Sequence, residues 1–324
     1  MKAAWYARNG EAREVLTVGE IPTPTPGPGE VRVKLATSGI NPSDVKARRG
    51  RPVEDGRCIP HSDGAGVIDM VGAGVPAHRE GERVWIWNGQ WKRQNGTAAE
   101  YITLPQEQAV PLPDNVGFDV GACLGIPALT ALRAVQLLGE IQDKNVLVTG
   151  AASVVSQYIA QLAAMKGANL IGTISSDEKA DMARRAGVAQ TINYKTEPVL
   201  DRVKELTNGH GADAVVDLDF SSLAPMLGKG LVAPHGTIVS YGSNTMADTP
   251  IPFRPMLFAS LNLHLFLVYE LKQHDRAHAI ETLTKLLRED RLTHLISHRH
   301  KLEDIAAAHE AVENGVLGNV VIEF

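Results

Sequence analysis

The sequence has only two cysteines, Cys58 and Cys123, among its 324 residues, and they stand far apart. So few thiols argue against a disulfide framework and against a cysteine-built metal site. Long apolar runs are missing as well, because no segment is long enough to span a bilayer and the N-terminal MKAAWYARNG has no signal-like apolar stretch. These absences predict a soluble protein of a reducing compartment, the cytoplasm.

A large excess of charge of either sign is also missing. The 32 basic residues face 37 acidic ones, for a net charge of −5. A broad attraction to nucleic acid or to an anionic membrane is therefore not expected, and an RNA-binding role is disfavoured. The 44% hydrophobic and 21% charged residues are ordinary for a globular protein, and the length allows two domains.

The pattern of apolar residues changes along the chain. Short strand-like segments bounded by Gly or Pro fill the first third, for example EVRVKLATSGI at residues 30–40. From Asn145 onwards, apolar strands alternate with helical patterns, with helices expected at residues 153–166 and 177–185. This alternation predicts a parallel sheet covered on both faces. The last strand, in GNVVIEF, is expected to return to the first domain.

Glycine is missing where a dinucleotide-binding turn normally carries it. Residues 146–163, VLVTGAASVVSQYIAQLA, have the strand–turn–helix order of such a turn, which normally reads G-x-G-x-x-G. The three glycine positions fall on Ala151, Ser153 and Ser156. The backbone N–H groups of Val154 and Val155 remain at the start of the helix, where an anion is favoured. We expect this turn to bind a pyrophosphate, though less tightly than a glycine turn.

Five further stretches occur in order along the chain: SGINPSDVKARRG, IPHSDGAGVI, GTAAEY, GIPALTA and INY. With the strand-rich first third and the returning last strand, they resemble the medium-chain dehydrogenases/reductases, in the quinone oxidoreductase (zeta-crystallin) branch, over essentially the whole chain. The resemblance implies an α/β fold with a GroES-like β-rich catalytic domain at residues 1–118 and 292–324. A Rossmann-type, doubly wound parallel-sheet cofactor domain is expected at residues 119–291.

At the positions of the metal ligands of the zinc-using relatives, this chain carries other residue types. Those relatives carry a Cys ligand where this chain has Asn41, and a Gly-His-Glu triplet where it has His61, Ser62 and Asp63. A catalytic zinc normally takes three Cys, His or carboxylate ligands. The resemblance therefore implies a reductase that works without zinc.

Candidate catalytic and substrate-binding residues lie in the first domain. The resemblance places Asn41 beside the nicotinamide and the substrate; the alternative is a turn asparagine bonded to its own backbone. Lys46 is either a catalytic or a solvated surface lysine, and His61 is either a proton donor or a structural histidine. Asn88 and Trp91 are expected to line a pocket for a flat substrate, next to tryptophans of which at least one belongs to the core.

Further cofactor contacts are expected at the carboxyl ends of the second domain's strands, where ligands of doubly wound sheets bind. Thr130 is expected against the nicotinamide end by the resemblance. The other expected contacts at this end are Phe220, Tyr241, Gly242 and Ser243.

The end of the second strand of this domain favours NADPH over NADH. An acid about 20 residues past the turn normally binds the ribose 2′-OH, but here Ile174 is followed by Ser175, Ser176 and then Lys179. Hydroxyls and a cation suit a 2′-phosphate, and Tyr194 matches the family residue that flanks this phosphate. Asp177 is the one discordant charge, and a helix-capping role accounts for it.

Together these features predict an NADPH-dependent reductase, a homodimer, that transfers hydride to a quinone. Two alternatives stay open. The acceptor is an activated alkene such as an enone or alkenal, or the protein binds the cofactor with little turnover.

Overall fold

The computed structural model describes residues 1–53 and 56–324. Within these residues the strands are β1 (Lys2–Trp5), β2 (Thr17–Glu20), β3 (Glu30–Ile40), β4 (Asp63–Val71), β5 (Arg83–Ile86), β6 (Tyr101–Pro105), β7 (Ala109–Pro111), β8 (Asn145–Val148), β9 (Asn169–Ile174), β10 (Gln190–Asn193), β11 (Ala212–Asp217), β12 (Val232–Ser240), β13 (Asn262–Leu265), β14 (Ile296–Lys301) and β15 (Asn319–Glu323). The α-helices are α1 (Ala12–Val15), α2 (Pro42–Gly50), α3 (Phe118–Gly121), α4 (Leu129–Leu137), α5 (Val154–Met165), α6 (Asp177–Arg185), α7 (Val199–Leu206), α8 (Phe220–Leu223), α9 (Phe253–Phe258), α10 (Gln273–Arg288) and α11 (Ile305–Glu313).

One compact unit, Leu129–Ile280, contains the predicted parallel sheet. Its strand order is β10-β9-β8-β11-β12-β13, and every neighbouring pair is parallel. From β8 the chain adds β9 and β10 on one side of the sheet, and it then continues with β11, β12 and β13 on the other side of β8. The place between β8 and β11 is the switch point, where doubly wound sheets bind ligands. The helices α5 and α6 begin and end within one residue of the bounds that the sequence predicted.

The parallel strands of this unit are apolar because both faces of the sheet are covered. Val146, Leu147 and Val148 of β8 are completely buried. One layer of the core takes a side chain from each of five neighbouring strands: Ile192, Ile171, Leu147, Val215 and Ile238. Burying each such side chain contributes about 1.5–3 kcal/mol, so the layer holds the strands in register beneath their carboxyl ends.

The other compact unit consists of Met1–Ala128 and Glu281–Phe324. In its described part, a mainly antiparallel sheet has the order β14-β15-β3-β4-β5-β7, with β6 also paired to β3. The last strand, β15, pairs antiparallel with β3, so the expected return of the chain's end to the first domain is confirmed. The expected domain boundaries, after residues 118 and 291, lie ten and eleven residues from the divisions between the two units, and α10 crosses the second division.

In the part of the chain that the structure describes, no helix is both long enough and apolar enough to cross a membrane.

The turn from β8 into α5 is packed closely against β9. Gly150 has a φ of +55°, a left-handed conformation that glycine adopts without strain. Ala151 follows it, and a Cβ added to Gly172 of β9 would lie only 2.6 Å from the Cβ of Ala151. The glycine that is missing at position 151 is thus compensated by a glycine on the neighbouring strand, which leaves room for the alanine methyl group.

This packing makes a testable prediction for a pair of substitutions. Gly172→Ala should destabilise the protein by about 1–3 kcal/mol, because its methyl group would collide with Ala151 and, at 2.8 Å, with Val188. Adding Ala151→Gly should restore part of this loss, because one of the two collisions is removed. Urea unfolding of the cofactor-free single and double variants measures both effects, and a double variant no more stable than Gly172→Ala would contradict the compensation.

Candidate functional site

Asn41 lies between two buried aspartates where β3 gives way to α2. Its Nδ2 donates to Oδ2 of Asp63 at 2.9 Å, and its backbone N–H donates to Oδ2 of Asp44 at 2.7 Å. Asn41 is the N-cap residue of α2 and forms a reciprocal capping box with Asp44. These bonds fix the amide in one orientation and agree with the turn interpretation of Asn41. Contact of Asn41 with a cofactor or substrate stays a prediction.

The two aspartates beside Asn41 are held in conditions that favour their protonated forms. Burial raises the pKa of Asp44 to about 7, although hydrogen bonds from Asn41 and from the backbone of Ser62 act to lower it. Burial also raises the pKa of Asp63 well above its usual range, against the bonds from Ile126 N–H and Asn41. Asp63 anchors the backbone of Ile126, whose N–H donates to its Oδ2 at 3.0 Å.

His61 belongs to a continuous buried chain of hydrogen bonds. Its Nδ1 lies 2.9 Å from the hydroxyl of Ser38, and its Nε2 lies 2.9 Å from Nε2 of His309. The Ser38 hydroxyl is 2.8 Å from that of Thr97, which donates to the backbone carbonyl of Asp63 at 2.6 Å. All four side chains are completely buried.

The direction of the chain fixes the tautomer of both histidines. Because the Thr97 hydroxyl hydrogen is used by a carbonyl, Thr97 accepts from Ser38, and Ser38 accepts from Nδ1–H of His61. The bare Nε2 of His61 then accepts from Nε2–H of His309. Burial lowers the pKa of His61 well below 6.5, with the nearby His309 adding to the effect. Burial likewise lowers the pKa of His309 to about 3, with Arg48 adding to it. Both rings are neutral.

These contacts favour the structural alternative for His61. It has a φ of +77°, a left-handed conformation that costs a residue with a side chain about 1–3 kcal/mol. By the resemblance, it stands where the zinc-using relatives carry glycine, a residue that adopts this conformation without strain. The bonds to Ser38 and His309 hold the His61 ring in place.

The donor set around Asn41 and Ser62 does not fit a catalytic zinc. By the resemblance, an amide and a hydroxyl stand at two ligand positions, and Oδ2 of the neighbouring Asp63 already accepts two N–H groups. Among the described residues, no group of three His, Cys, Asp or Glu side chains is arranged to hold a metal ion. Zinc needs such ligands in their deprotonated forms.

The remaining candidates of the first unit lie on α2 and on the turn after β5. Lys46 is exposed on α2. Asn88 is buried and Trp91 half-buried, and their backbones are joined by a turn bond of 3.3 Å. The guanidinium of Arg51 lies 5.0 Å from the centre of the Trp91 ring, at cation–π distance. Trp85 is completely buried, which confirms that one of the neighbouring tryptophans belongs to the core.

In the second unit, the serines at two of the glycine positions bond to each other. Ser153 caps α5, because its Oγ accepts the backbone N–H of Ser156 at 3.2 Å, and it also donates to Oγ of Ser156 at 2.9 Å. The Ser156 hydroxyl donates to the carbonyl of Thr149 at 3.2 Å. Val154 and Val155 are the first two residues of the helix, so their N–H groups have no acceptor within it and are available to an anion.

Of the residues expected to select NADPH, Ser175 and Tyr194 follow the paired ends of β9 and β10, and Ser176 and Lys179 lie at the start of α6. Ile174 and Asn193 are partners in register, and the N–H of Tyr194 donates to the carbonyl of Ile174 at 3.1 Å. Ser175, the residue after Ile174, is therefore close to Tyr194 along the backbone. The side chain of Tyr194 is exposed. Ser176 caps α6 by accepting the N–H of Lys179 at 3.4 Å. The expectation that Asp177 is the cap was wrong: Asp177 is the first helical residue, where the helix dipole still favours its charge.

The candidates after β11 and β12 are also joined. The N–H of Phe220 donates to the carbonyl of Gly242 at 2.9 Å, and the N–H of Tyr241 donates to the carbonyl of Asp217 at 3.2 Å. Burial raises the pKa of Tyr241, although hydrogen bonding with Ser156 and Ser153 acts to lower it. Thr130 is buried on α4, which packs on α5, and Ser243 lies in the segment that follows β12.

Three residues that build these sites escaped the sequence reasoning. His309 is 248 positions from His61, and no local pattern links them. Gly172 sits inside an apolar strand, where only its closeness to Ala151 reveals its role. Asp219 had a usable signal, because it is a charged residue two positions after the end of a buried strand, at the edge where ligands bind.

Comparison with known proteins gives consistent matches. Residues 154–285 match the Zinc-binding dehydrogenase family, and residues 27–114 match the Alcohol dehydrogenase GroES-like domain. The chain is 34% identical over 241 residues to the quinone oxidoreductase of Pseudomonas aeruginosa, and the match covers 71% of this chain and 70% of that protein. It is 31% identical over 242 residues to the 2-haloacrylate reductase of a Burkholderia species, with 72% and 70% covered. The structure of Escherichia coli quinone oxidoreductase complexed with NADPH matches with a TM-score of 0.88 and 25% identity over 100% of both chains.

The neutral histidine pair makes a prediction about pH and stability. His309 binds no proton in the folded protein above about pH 3, but the unfolded chain binds one there below about pH 6.5. Its contribution to stability is therefore complete above pH 6.5 and is lost as the pH falls towards 3. We expect His309→Phe to be less stable than the wild type at pH 7.5, and the gap to shrink by up to about 1.4 kcal/mol per pH unit below pH 6.5.

Urea unfolding at several pH values measures this gap. Asp44, Asp63 and His61 are present in both proteins, so the difference removes the part of their effect that the two proteins share. His298→Phe, at an exposed position on β14, is the control and should keep the pH dependence of the wild type. A gap between wild type and His309→Phe that is constant from pH 7.5 to 5 would contradict the neutral, buried pair.

Proposed function

Because the chain belongs to the medium-chain dehydrogenase/reductase family, in its quinone oxidoreductase branch, we propose that it is an NADPH-dependent oxidoreductase that transfers hydride to a quinone. Relatives named quinone oxidoreductase support this acceptor. The Escherichia coli quinone oxidoreductase, which has the same fold, is described as a complex with NADPH and supports the cofactor.

The observation that carries the proposal is the composition of one edge of the parallel sheet. At the carboxyl end of β8, the first N–H groups of α5 have no intrahelical acceptor and suit a pyrophosphate. At the neighbouring end of β9 stand two serines and Lys179, without an acid at the strand end. A helix N-terminus beside hydroxyls and a cation fits a dinucleotide that carries a 2′-phosphate.

NADPH, when bound, supplies the hydride. The chain's own residues bind and orient it: Val154 and Val155 through backbone N–H groups, and Lys179 through a charge-assisted bond to the 2′-phosphate. Tyr194 flanks that phosphate, while Thr130, Phe220 and the segment from Tyr241 to Ser243 contact the nicotinamide end. The protein's share in catalysis is positioning and exclusion of water.

Proton transfer needs no dedicated side chain in this proposal. Both ring nitrogens of His61 are engaged in buried hydrogen bonds, so His61 donates no proton to a product. The reduced acceptor takes its proton from solvent. Asn41 keeps its predicted place beside the nicotinamide and substrate, as an amide held in one orientation by Asp63.

A second candidate is the reduction of an activated alkene. It is favoured by the relative named 2-haloacrylate reductase, which matches 72% of the chain, against 71% for the Pseudomonas enzyme. A third candidate, a cofactor-binding protein with little turnover, rests on the altered glycine turn.

Steady-state oxidation of NADPH separates the three candidates. We expect 1,4-benzoquinone to be reduced with a higher kcat/KM than either 2-cyclohexenone or 2-chloroacrylate, after subtraction of the enzyme-free rate. A higher kcat/KM for either alkene than for the quinone would indicate that the substrate is an activated alkene. Tight binding of NADPH without turnover of any acceptor would support the third candidate.

The choice of NADPH over NADH makes a prediction about Lys179. Loss of its bond to the 2′-phosphate in Lys179→Ala should weaken NADPH binding by about 1.5–3 kcal/mol and leave NADH binding nearly unchanged. Lys166→Ala is the control, because Lys166 lies at the C-terminal end of α5, opposite the end that is proposed to bind the pyrophosphate. Fluorescence titration gives both dissociation constants, and a wild type that binds the two cofactors equally would rule out this assignment.

Independence from zinc is a further prediction, because an amide and a hydroxyl occupy the ligand positions at Asn41 and Ser62. Purified active protein should contain no stoichiometric zinc by elemental analysis, and 1,10-phenanthroline should leave the rate of NADPH oxidation unchanged. One zinc per chain together with loss of activity on chelation would refute this.

We also propose that the protein is a homodimer that uses β13 and α9. The strand β13 is the outer strand of its sheet, and an open edge of this kind invites pairing. Several large apolar side chains are exposed next to it: Phe253 at 66%, Leu257 at 61%, Phe258 at 76% and Leu265 at 66%. A second copy of the chain fits this surface, because the same strand edge and apolar face on each copy are self-complementary around a two-fold axis.

Light scattering after size-exclusion chromatography tests the dimer. The wild type should have twice the mass of one chain, and Leu257→Glu together with Leu265→Lys should give the mass of a single chain. Met165→Glu places a charge at another exposed apolar position and should remain dimeric. A wild type that is monomeric at micromolar concentration would contradict the proposal.

A further inference from the structure

The carboxylate of Asp219 receives four hydrogen bonds. Ser221 and Ser222 donate their hydroxyls to Oδ1 and Oδ2 at 2.5 and 2.6 Å. Asn244 donates its backbone N–H to Oδ1 at 2.9 Å and its side-chain Nδ2 to Oδ2 at 3.0 Å. Every lone-pair direction of the carboxylate is therefore in use, as in the strongest class of protein hydrogen bonds.

These bonds connect the loop after β11 with the loop after β12. Asp219 and both serines belong to the segment after β11, whereas Asn244 belongs to the segment after β12. The backbone bond from Phe220 to Gly242 links the same two segments. Asp219 adds two bonds across the gap and two within its own turn, so both segments are tied to one charged group.

The charge of Asp219 is stable in this position. Its burial would raise the pKa, but the bonds from the two serines and Asn244 outweigh the burial and lower the pKa of Asp219 to about 2. Asp217, only two residues earlier, is buried too, and burial raises its pKa despite bonds from Thr149 and Ser240. Asp219 therefore stays ionised throughout the neutral range.

We propose that Asp219 is a positioning residue for the nicotinamide half of the cofactor, an inference that rests on the proposed use of NADPH. Doubly wound sheets bind a dinucleotide across the switch point, which lies here between β8 and β11. The residues predicted to contact the 2′-phosphate follow β9 and β10, on one side of this switch point. The segments that Asp219 ties together follow β11 and β12, on the other side, and carry the predicted contacts Phe220 and Tyr241.

Two substitutions distinguish positioning from mere filling of space. Asp219→Ala removes all four bonds and frees the two segments from each other. Asp219→Asn keeps a similar shape: its oxygen accepts the backbone N–H of Asn244, and its NH₂ group bonds to the Asn244 side chain once that amide has rotated to present its oxygen. The asparagine variant should therefore recover most of what the alanine variant loses.

Binding of two ligands to the cofactor-free protein tests the proposal. Adenosine 2′,5′-bisphosphate contains the 2′-phosphate half of NADPH and has no nicotinamide. We expect Asp219→Ala to raise the dissociation constant of NADPH at least tenfold and that of the bisphosphate less than twofold. Asp219→Asn should bind NADPH within about threefold of the wild type. Calorimetric titration gives all of these constants without turnover.

Asp213→Ala is the matched control. Asp213 lies at the other end of β11, where it accepts the backbone N–H of Asn145 at 2.8 Å, so its loss tests a half-buried carboxylate bond away from the site. This variant should lower the melting temperature and leave both dissociation constants unchanged. If Asp219→Ala does not fold, Ser221→Ala with Ser222→Ala removes two of the four bonds and should weaken NADPH selectively in the same way.

The outcomes separate this inference from the proposed function. A wild type that binds NADPH while Asp219→Ala binds it equally well would overturn the inference alone. Equal weakening of both ligands in Asp219→Ala would also overturn it, because the effect would then be a general loss of structure. A wild type that binds neither ligand would overturn the proposed function and this inference with it.

Discussion

The close packing of the β8–α5 turn against β9 is the constraint on which the rest of the second unit depends. The turn begins at Gly150 in a left-handed conformation, and the methyl group of Ala151 fills the space that Gly172 leaves on the neighbouring strand. Because all strands of this sheet are parallel, their carboxyl ends share one edge. A turn displaced from β9 would move the start of α5, and with it the N–H groups that face an anion.

Polar groups at both candidate sites are organised by burial and by hydrogen bonds to other buried groups. In the first unit, the Asn41 amide is held by two aspartates whose pKa values burial raises, and His61 is held by a chain of neutral groups that ends at His309. In the second unit, Asp219 stays ionised because four donors replace its water. In each case a buried polar group without its partners costs more than the bond itself contributes, so the partners fix a single arrangement.

The sequence predicted the second unit better than the first. Alternating apolar strands and helices locate β8 to β11 and α5 to α7, because burial on both faces leaves a strong local signal. The antiparallel sheet of the first unit is assembled from distant segments, and the pairing of β15 with β3 was foreseen only as a returning strand. The contact between His61 and His309 had no local signal, and Ser176 rather than Asp177 caps α6, because neighbouring residues with similar capping ability compete at a helix start.

The central claim is that a turn without its usual glycines at positions 151, 153 and 156 still presents the N-terminus of α5 to the cofactor's pyrophosphate. The most direct measurement follows the backbone amide resonances of isotope-labelled protein during titration with NADP⁺. The account predicts that the amide protons of Val154 and Val155 shift downfield and saturate together with the 2′-phosphate contacts at Ser175 and Lys179. Saturable binding that leaves the amides of Val154 and Val155 unshifted would contradict it.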